Sequence, residues 1–484
     1  MPAAAAGGYR LKGVTILNRS SKLVSNTLIL SLGTVGSKMI QYLLLPYYTN
    51  ILNTAEYGIV DNLQNIASLL IPVVSMTISE AIFRYAMDKH YNPKAVFSNG
   101  NIINILCTIA ALALCLLATP FIHERETVQY LFTVAAYVCV NIFRTNCSLY
   151  VKAIDKTLLF TVDNMLLTGA TVASNIFFLS VAKLGIIGYM MGYIVGNVVS
   201  AVFLIITARL YRAFSLRLFS RSLCRTLFIF SIPLIPNTMC WWISNSSNRF
   251  MISHFVSVEE NGLFAIAYKV PTIITIVVGV LMQAWQISAN EAAEDARLRS
   301  FYSQIYRIID AAVAVLCGVS ILASKLFVNV MAADSYAPAW QFVPLLVVST
   351  YFYSKAQLLG TVYTTFKHTG MAFVTNLVAA VVNIALNFFL IQAWHSALGA
   401  AVSTCISYFV LCYVRKLDTR RHLALDTDPL REAATGLLLV GEAVIFTWFY
   451  SLWYLSAACL AAVLVLHTRT LLKVAKKCLK MVKR

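Results

Sequence analysis

The sequence has little charge and no clustered metal or redox ligands. Asp, Glu, Lys and Arg make up only 12% of the 484 residues, whereas 59% are hydrophobic and the mean hydropathy is +0.75. A water-soluble core cannot bury that much apolar surface, so a soluble globular protein is excluded. The seven histidines show no metal-ligand spacing and the eleven cysteines form no CxxC pair, which predicts no metal site and no disulfide framework.

Long apolar runs fill the chain instead. About fourteen stretches of about 20 residues are each long enough to cross a bilayer as a helix, and open strands are excluded in hydrocarbon because their backbone groups would be unpaired. The sequence therefore predicts an all-α polytopic membrane protein with about 14 transmembrane helices. Because the connections are too short to hold a catalytic domain, a membrane glycosyltransferase or polymerase is disfavoured, and we expect a membrane transporter that is not an enzyme.

The basic residues between these runs collect on one side of the membrane. With the N-terminus placed in the cytoplasm, 29 of the 38 Lys and Arg residues fall on the cytoplasmic side, only Arg125 and Lys183 fall on the other, and seven lie inside the runs. This distribution follows the positive-inside rule and predicts that both termini are cytoplasmic. The net charge of +18 then faces anionic lipid and not nucleic acid.

Two segments of the chain recur at nearly the same offset. TNILNTAEYGIVDNL (49–63) aligns with SHFVSVEENGLFAIA (253–267), which matches Glu56 with Glu260 and Gly58 with Gly262 at an offset of 204 residues. Residues 177–179 and 188 match residues 388–390 and 399 at an offset of 211. An even number of spans in each copy predicts a parallel repeat of two six-helix lobes, a layout typical of alternating-access transporters.

The repeat and the charge pattern together predict the domain organisation. The predicted segments are a cytoplasmic N-terminal segment (1–25), an N-lobe with helices 1–6 (26–208), a basic amphipathic cytoplasmic linker (209–225), a C-lobe with helices 7–12 (226–414), two further transmembrane helices (433–473) and a basic cytoplasmic tail (474–484).

Ionisable residues inside the runs are costly in a bilayer and usually face a cavity or a partner. The basic ones are Lys38, Arg144, Arg249, Lys269, Arg307, Lys325 and Lys355, with Arg84 at the cytoplasmic edge, and the acidic ones are Asp61, Glu80, Asp163, Asp310 and Glu442. The excess of cations favours an anionic passenger. Two alternatives stay open: Glu80 and Arg84 pair with each other on one helix face, and Arg144, Arg307 and Lys325 snorkel to an interface or pair with Asp310.

Amides and tryptophans accompany these charges. Lys38 with Gln41, and Asn245 with Arg249, place polar groups on one face of an otherwise apolar helix. A polar cavity lining suited to sugar is predicted from Gln41, Asn62, Asn245, Asn248, Gln283 and Trp285. The alternative is that these amides hold packed helices together.

Four segments, 37–65, 79–89, 230–270 and 336–370, resemble the bacterial polysaccharide and O-antigen flippases. These belong to the multidrug, oligosaccharidyl-lipid and polysaccharide exporter superfamily, and the likeness runs over essentially the whole chain. The resemblance implies two lobes around a cationic central cavity in the bacterial cytoplasmic (inner) membrane. It also implies that undecaprenyl-diphosphate oligosaccharide crosses from the cytoplasmic to the outer leaflet by alternating access.

The resemblance also implies roles for individual residues. Lys38, Arg84, Arg249 and Lys269 fall where family members carry basic residues, and a guanidinium can hold a diphosphate through two hydrogen bonds. We add Arg144 and Lys355 as substrate-binding candidates, and Asp61, Glu80 and Asp163 as candidates for ion coupling. Asn248 stands where an acidic residue is expected before the arginine, which puts the family's coupling scheme in doubt.

No cofactor is expected, although transport is expected to draw on a proton or sodium gradient or on the membrane potential. The expected partners are the lipid-linked oligosaccharide, the bilayer and polysaccharide polymerase or glycosyltransferase machinery, with a monomeric chain. A peptidoglycan-precursor (lipid II) flippase and a cation-coupled multidrug antiporter of the same superfamily remain the alternatives.

The stretch LLLPYYTNILNTAEYG (43–58) interrupts an apolar run with polar residues. We expect Tyr47, Tyr48, Thr49 and Asn50 to lie at the outer end of the first helix, against the aqueous mouth or the headgroups, and Gly58 to start the second helix. An interfacial tyrosine belt is the alternative.

Overall fold

The structure, a computed structural model, describes residues 36, 40, 42–291, 298–366 and 369–482. Within these residues the chain forms eighteen α-helices and no strand. They are α1 (Leu45–Ile51), α2 (Thr54–Val74), α3 (Ile78–Ala86), α4 (Pro93–Ala118), α5 (Arg125–Ala153), α6 (Thr157–Ile176), α7 (Gly185–Thr207), α8 (Arg221–Ser231), α9 (Leu234–Phe255), α10 (Val258–Ala267), α11 (Lys269–Glu291), α12 (Leu298–Leu322), α13 (Ser324–Met331), α14 (Val343–Thr365), α15 (Thr369–Trp394), α16 (Leu398–Thr419), α17 (Pro429–Trp448) and α18 (Trp453–Val482).

The described helices account for nearly all the predicted spans. Nine spans are long and apolar enough to cross a membrane, and α2 with α3 adds a tenth when the pair is taken as one broken span. Three further helices have at least 20 residues but are not among these spans: α9, α14 and α17. Most of the first predicted span lies outside the described residues. The predicted all-α membrane fold with about 14 helices is confirmed.

The chain divides into two compact units. The first contains the described residues 73–182 and 190–232, and the second contains residues 42–72 and 183–189 and the described residues from 233 onward. Residues 42–72, from the predicted N-lobe, therefore belong to the second unit. The break between α2 and α3 marks the change of unit, and there Met76 and Thr77 adopt left-handed backbone conformations with φ of 51° and 50°.

The core of the first unit is an apolar cluster shared by α3, α4, α5 and α8. It includes Ile82, Phe97, Tyr150 and Leu227, all buried. A side chain at Gly100 on α4 would press against Ile82 at 2.5 Å, so this glycine is what lets α4 approach α3 closely.

The basic segment between the predicted lobes is anchored to this core. It forms two short 3-10 turns, Leu210–Arg212 and Leu216–Leu218, before α8 begins. Ser98 on α4 donates to the Ala213 carbonyl at 3.2 Å, and Asn99 donates to the Leu218 carbonyl at 2.8 Å. The segment is therefore not a continuous helix, but its backbone polar groups are held by buried side chains of α4.

In the second unit the two copies of the first repeat cross each other. A Cβ built on Gly58 of α2 would lie 2.1 Å from the Val258 carbonyl oxygen, and one on Gly262 of α10 would lie 2.0 Å from the Thr54 carbonyl oxygen. Only glycine at both positions allows the two backbones to come this close. The repeated Glu-x-Gly motif is thus a helix-crossing motif.

The same motif begins each helix. Asn53 and Glu56 form a reciprocal capping box, in which each backbone N–H donates to the other side chain at 2.9 Å. Ser257 caps α10 by accepting from the Glu260 N–H at 3.1 Å. The Glu260 carboxylate instead accepts hydrogen bonds from Ser396 and from the Ala397 backbone, both at 2.8 Å, and so ties α10 to the start of α16.

The polar stretch before α2 is only partly at the surface. Asn50 is exposed, but Tyr48 and Thr49 are buried, and Thr49 accepts a hydrogen bond from the Ala333 N–H at 3.0 Å. The expectation that all four residues meet water or headgroups is therefore wrong for these two. Gly58 also lies within the first turns of α2 and not at its start, because the capping box at Asn53 sets that start.

Candidate functional site

The clearest candidate site in the second unit is the ion pair between α9 and α2. Arg249 donates through Nε to Asp61 Oδ2 at 2.9 Å, and both side chains keep partial exposure of 15% and 12%. The Arg249 guanidinium lies 5.3 Å from the centre of the Tyr268 ring, in a cation–π contact. The structure records no hydrogen bond from Nη1 or Nη2 to any described residue.

A run of amide and indole contacts extends from this pair. Asn65 donates to the Asp61 carboxylate at 3.2 Å and accepts from Ser246 at 2.9 Å. The Trp242 indole N–H bonds the Asn65 carbonyl at 2.8 Å and lies 2.9 Å from Ser68 Oγ. Because Asp61 and Asn65 lie one turn apart on α2, they present one polar face to α9.

Two amides of the predicted cavity lining are described, the half-buried Asn62 and the buried Asn248. Asn62 donates to Ser253 at 2.8 Å and accepts from Asn261 at 3.2 Å. Asn248, only 2% exposed, donates to Thr404 at 2.8 Å and accepts from Asn387 at 2.6 Å. These two asparagines join helices of the second unit, which is the interhelical role that sequence left open.

Arg144 and Asp163 form a buried ion pair inside the first unit. Arg144 on α5 also donates to Ser200 at 2.9 Å and to Asn164 at 2.9 Å, and Asp163 on α6 is fully buried and accepts from Ser148 at 3.1 Å and from Ser200. The network therefore joins α5, α6 and α7. The two residues expected to bind substrate and ion are each other's partners here, and Asp310 is not involved with Arg144.

Lys355 lies in a second buried charge cluster, which belongs to the second unit. Its ammonium is 2.9 Å from Asp310 and 3.2 Å from Glu432, and Lys416 is 2.8 Å from the same Glu432 oxygen. Glu432 lies in the first turn of α17, so this cluster fastens the penultimate helix to α12, α14 and α16.

The remaining predicted site residues are exposed, half-buried or outside the described residues. Glu80 and Arg84 are both exposed on α3, and among the described residues they form no ion pair with each other. Lys269 is the first residue of α11 and is half-buried. Lys38 and Gln41 lie outside the described residues, as do the side chains of Asn245, Gln283 and Trp285, whose backbones belong to α9 and α11.

The chain also matches a known protein family. Residues 23–286, more than half of the chain, match the family described as polysaccharide biosynthesis protein. The chain belongs to that family. The matched residues include three of the four segments that resemble polysaccharide flippases, 37–65, 79–89 and 230–270. That resemblance is therefore confirmed. No curated protein matches the chain.

Solved structures of the multidrug and polysaccharide exporter superfamily share the fold of this family member. The lipid II flippase MurJ in an inward closed conformation matches with a TM-score of 0.63 and 13% identity, over 93% of this chain and 99% of that one. An outward-facing multidrug resistance MATE family transporter matches with a TM-score of 0.60 and 15% identity, over 83% and 96% of the two chains. A superfamily transporter from Pyrococcus furiosus matches with a TM-score of 0.58 and 14% identity, over 85% and 95%. At these identities the matches establish the fold and not the substrate.

Sequence reasoning missed several residues of the candidate site. Tyr268, which faces the Arg249 guanidinium, and Trp242, which bonds Asn65, carry no charge and were hidden among other aromatic residues. Glu432 was missed because it lies just before the two predicted helices at 433–473. An acid at that boundary could have been considered as a partner for Lys355 and Lys416.

Proposed function

We propose that this polysaccharide biosynthesis protein is a flippase for undecaprenyl-diphosphate-linked oligosaccharide. It carries this lipid from the cytoplasmic to the outer leaflet of the bacterial cytoplasmic membrane by alternating access, with both chain termini in the cytoplasm. The family match and the exporter fold support the coarse statement of a membrane transporter. The choice of an anionic lipid as substrate is supported by the chemistry of Arg249.

The single observation that carries the proposal is that the Arg249 guanidinium hydrogen-bonds a described residue through Nε only. Asp61 holds Nε, and Tyr268 packs near the guanidinium plane, so the side chain is oriented before any ligand binds. The Nη1 and Nη2 groups have no hydrogen-bond partner among the described residues. A diphosphate has the charge and the paired oxygens that such a fork binds best.

Asp61 gives the site a means of release. While it is ionised, it holds Arg249 through Nε and leaves Nη1 and Nη2 available to the diphosphate. Protonation of Asp61 on the outer side would remove this hold on the guanidinium and favour substrate release, and loss of that proton to the cytoplasm would restore the oriented site. An inward proton gradient would then drive net transfer toward the outer leaflet through this pair, which assigns Asp61 the coupling role.

The neighbouring groups suit the sugar part of the substrate. Trp242 on α9 and Asn65 on α2 lie in the same polar contact between these helices. Amide groups can bind the hydroxyls of a sugar, and aromatic rings can pack against its apolar face. We assign them a positioning role in this proposal, with the diphosphate contact at Arg249 as the anchor.

The test is flipping by the full chain in liposomes. A fluorescent undecaprenyl-diphosphate oligosaccharide is loaded in one leaflet, and its transfer is followed with and without a proton gradient. We expect Arg249→Ala to lower the rate at least tenfold, because a charge-assisted hydrogen bond is worth about 1.5–3 kcal/mol, and Arg249→Lys to recover part of it. Arg307→Ala, which removes an exposed arginine from α12, is the matched control and should transfer normally.

Asp61→Asn separates a substrate contact from a structural ion pair. If Asp61 orients Arg249 for the diphosphate and carries the coupling proton, this variant should bind the lipid more weakly than wild type and lose its response to the proton gradient, whereas loss of a merely structural ion pair would leave that response in place. Equal rates for wild type and Arg249→Ala would refute the diphosphate contact. Folded protein that moves lipid II but no oligosaccharide lipid would favour the lipid II flippase, and export of small cations without any lipid transfer would favour the antiporter.

A further inference from the structure

We propose that the first unit holds a separate binding site for an uncharged lipid alcohol, between α4 and α5. The site goes beyond the proposed transport function, since it includes none of the residues assigned to the substrate. A cavity of about 140 Å³ opens between these two helices, and Asn101, Asn104 and Asn146 lie along it. All three asparagines are at least 96% buried.

The hydrogen bonds among the asparagines leave donor and acceptor groups unused. Asn101 donates to the Phe97 carbonyl at 2.8 Å and accepts from Asn146 at 3.2 Å. Among the described residues, neither the nitrogen nor the oxygen of the Asn104 amide has a partner, and Asn146 Oδ1 has none. Unpaired amide groups in an apolar surrounding cost several kcal/mol of transfer free energy, so they favour a polar occupant.

The lining excludes charged ligands and points to the bilayer as the source. None of the residues that line the cavity in the described part of the chain is charged, so nothing there neutralises a phosphate or a carboxylate. Ile105, Ile109 and Phe143 border the cavity with exposed fractions of 46%, 58% and 39%. Because α4 and α5 both qualify as membrane spans, these exposed side chains face lipid, and the ligand needs an apolar chain.

The depth of the amides selects the kind of lipid. Asn104 lies eleven residues beyond Pro93 at the start of α4, which is about 16 Å along the helix axis. The phosphate of an ordinary phospholipid stays at the membrane surface, whereas the hydroxyl of a long-chain alcohol can enter the hydrocarbon region with its chain. That position also argues against a ligand whose polar group is large.

The pattern of free groups selects a hydroxyl over an ester. The site offers one amide donor, Asn104 Nδ2, and two acceptors, the Oδ1 atoms of Asn104 and Asn146. A hydroxyl both donates and accepts, so it can satisfy one group of each kind. An ester carbonyl only accepts, and would leave both amide oxygens unpaired. Diacylglycerol and polyprenol carry the required group, and the experiment distinguishes them.

The experiment is photolabelling of the full chain in nanodiscs with hexadecanol that carries a diazirine near its hydroxyl. We expect adducts in peptides of α4 and α5, with competition by dioleoylglycerol, by a polyprenol or by both, whichever is the better ligand. Methyl palmitate and phosphatidylglycerol should compete at least fivefold less well. Competition by methyl palmitate equal to that of the alcohols would overturn the proposal, because it would show general contact with lipid chains.

Two variants test the site without relying on transport. Asn104→Leu removes the free amide, and Ile109→Trp blocks the lipid-facing border without touching the asparagines; each should lower the labelling at least fivefold. Leu106→Trp on the same helix is the matched control, because Leu106 is 63% exposed but does not line the cavity. If Asn104→Leu fails to fold, Ile109→Trp decides. Labelling unchanged in Ile109→Trp refutes the site, and failure of flipping alone leaves it unaffected.

Discussion

Replacing Gly262 by alanine should separate α2 from α10 and destabilise the second unit. The new Cβ would lie 2.0 Å from the Thr54 carbonyl oxygen, whereas a carbon and a carbonyl oxygen normally approach to about 3.3 Å. The obstacle is backbone on both sides, so no side-chain rotation relieves it, and the helices must move apart by more than 1 Å. Overpacking of this kind costs about 1–3 kcal/mol in the free energy of unfolding, and occasionally more.

The assay is thermal unfolding of the purified full chain in detergent, followed by the monodisperse peak in size-exclusion chromatography. Gly58→Ala should lower the apparent Tm as Gly262→Ala does, since its Cβ would meet the Val258 carbonyl oxygen. The double variant should lose less than the sum, because both changes open one crossing. Gly441→Ala is the control: no atom lies within 4 Å of that Cβ, and alanine favours the helix by up to about 1 kcal/mol. A Gly262→Ala protein as stable as wild type would refute the backbone-contact argument.

Three further predictions concern buried charges. Lys355→Met should lower the free energy of unfolding by about 3–5 kcal/mol, because the Asp310 carboxylate is left without its counter-charge. Adding Asp310→Leu should restore most of the lost stability, and thermal melts of both variants measure the effect. Asp163→Asn should destabilise the first unit by a similar amount because Arg144 loses its buried counter-charge, with a smaller monodisperse peak as the readout; full stability would show that the pair is dispensable. Glu442→Gln should change stability by no more than about 1 kcal/mol, since neither carboxylate oxygen has a hydrogen-bond partner among the described residues; a large loss of Tm would reveal a charged role.

Hydropathy and charge distribution were enough to predict the helical membrane fold, because the bilayer allows few other solutions. The offset of 204 residues between Glu56-x-Gly58 and Glu260-x-Gly262 was also visible in the sequence. What the offset could not show is that the two copies touch. Alignment reports similarity, whereas contact depends on the absence of a Cβ at both glycines and on how the helices pack.

The candidate site was predicted less completely. Polar residues in apolar helices are conspicuous in the sequence, but their partners can lie far away in the chain: Arg249 pairs with Asp61 across 188 positions. Arg144 and Asp163 are separated by only 19 positions, but nothing in their spacing reveals that α5 and α6 bring them together. Residue type gives the chemistry of a buried group, and only packing decides which opposite charge it meets.

The crossing at Gly58 and Gly262 has the form of a contact between identical subunits. Gly58 meets Val258 while Gly262 meets Thr54, and Val258 occupies in the second copy the position that Thr54 occupies in the first. Each copy therefore offers the same surface to the other, as in a two-fold symmetric dimer. A change on one side of this crossing can therefore be tolerated only if the other side still fits.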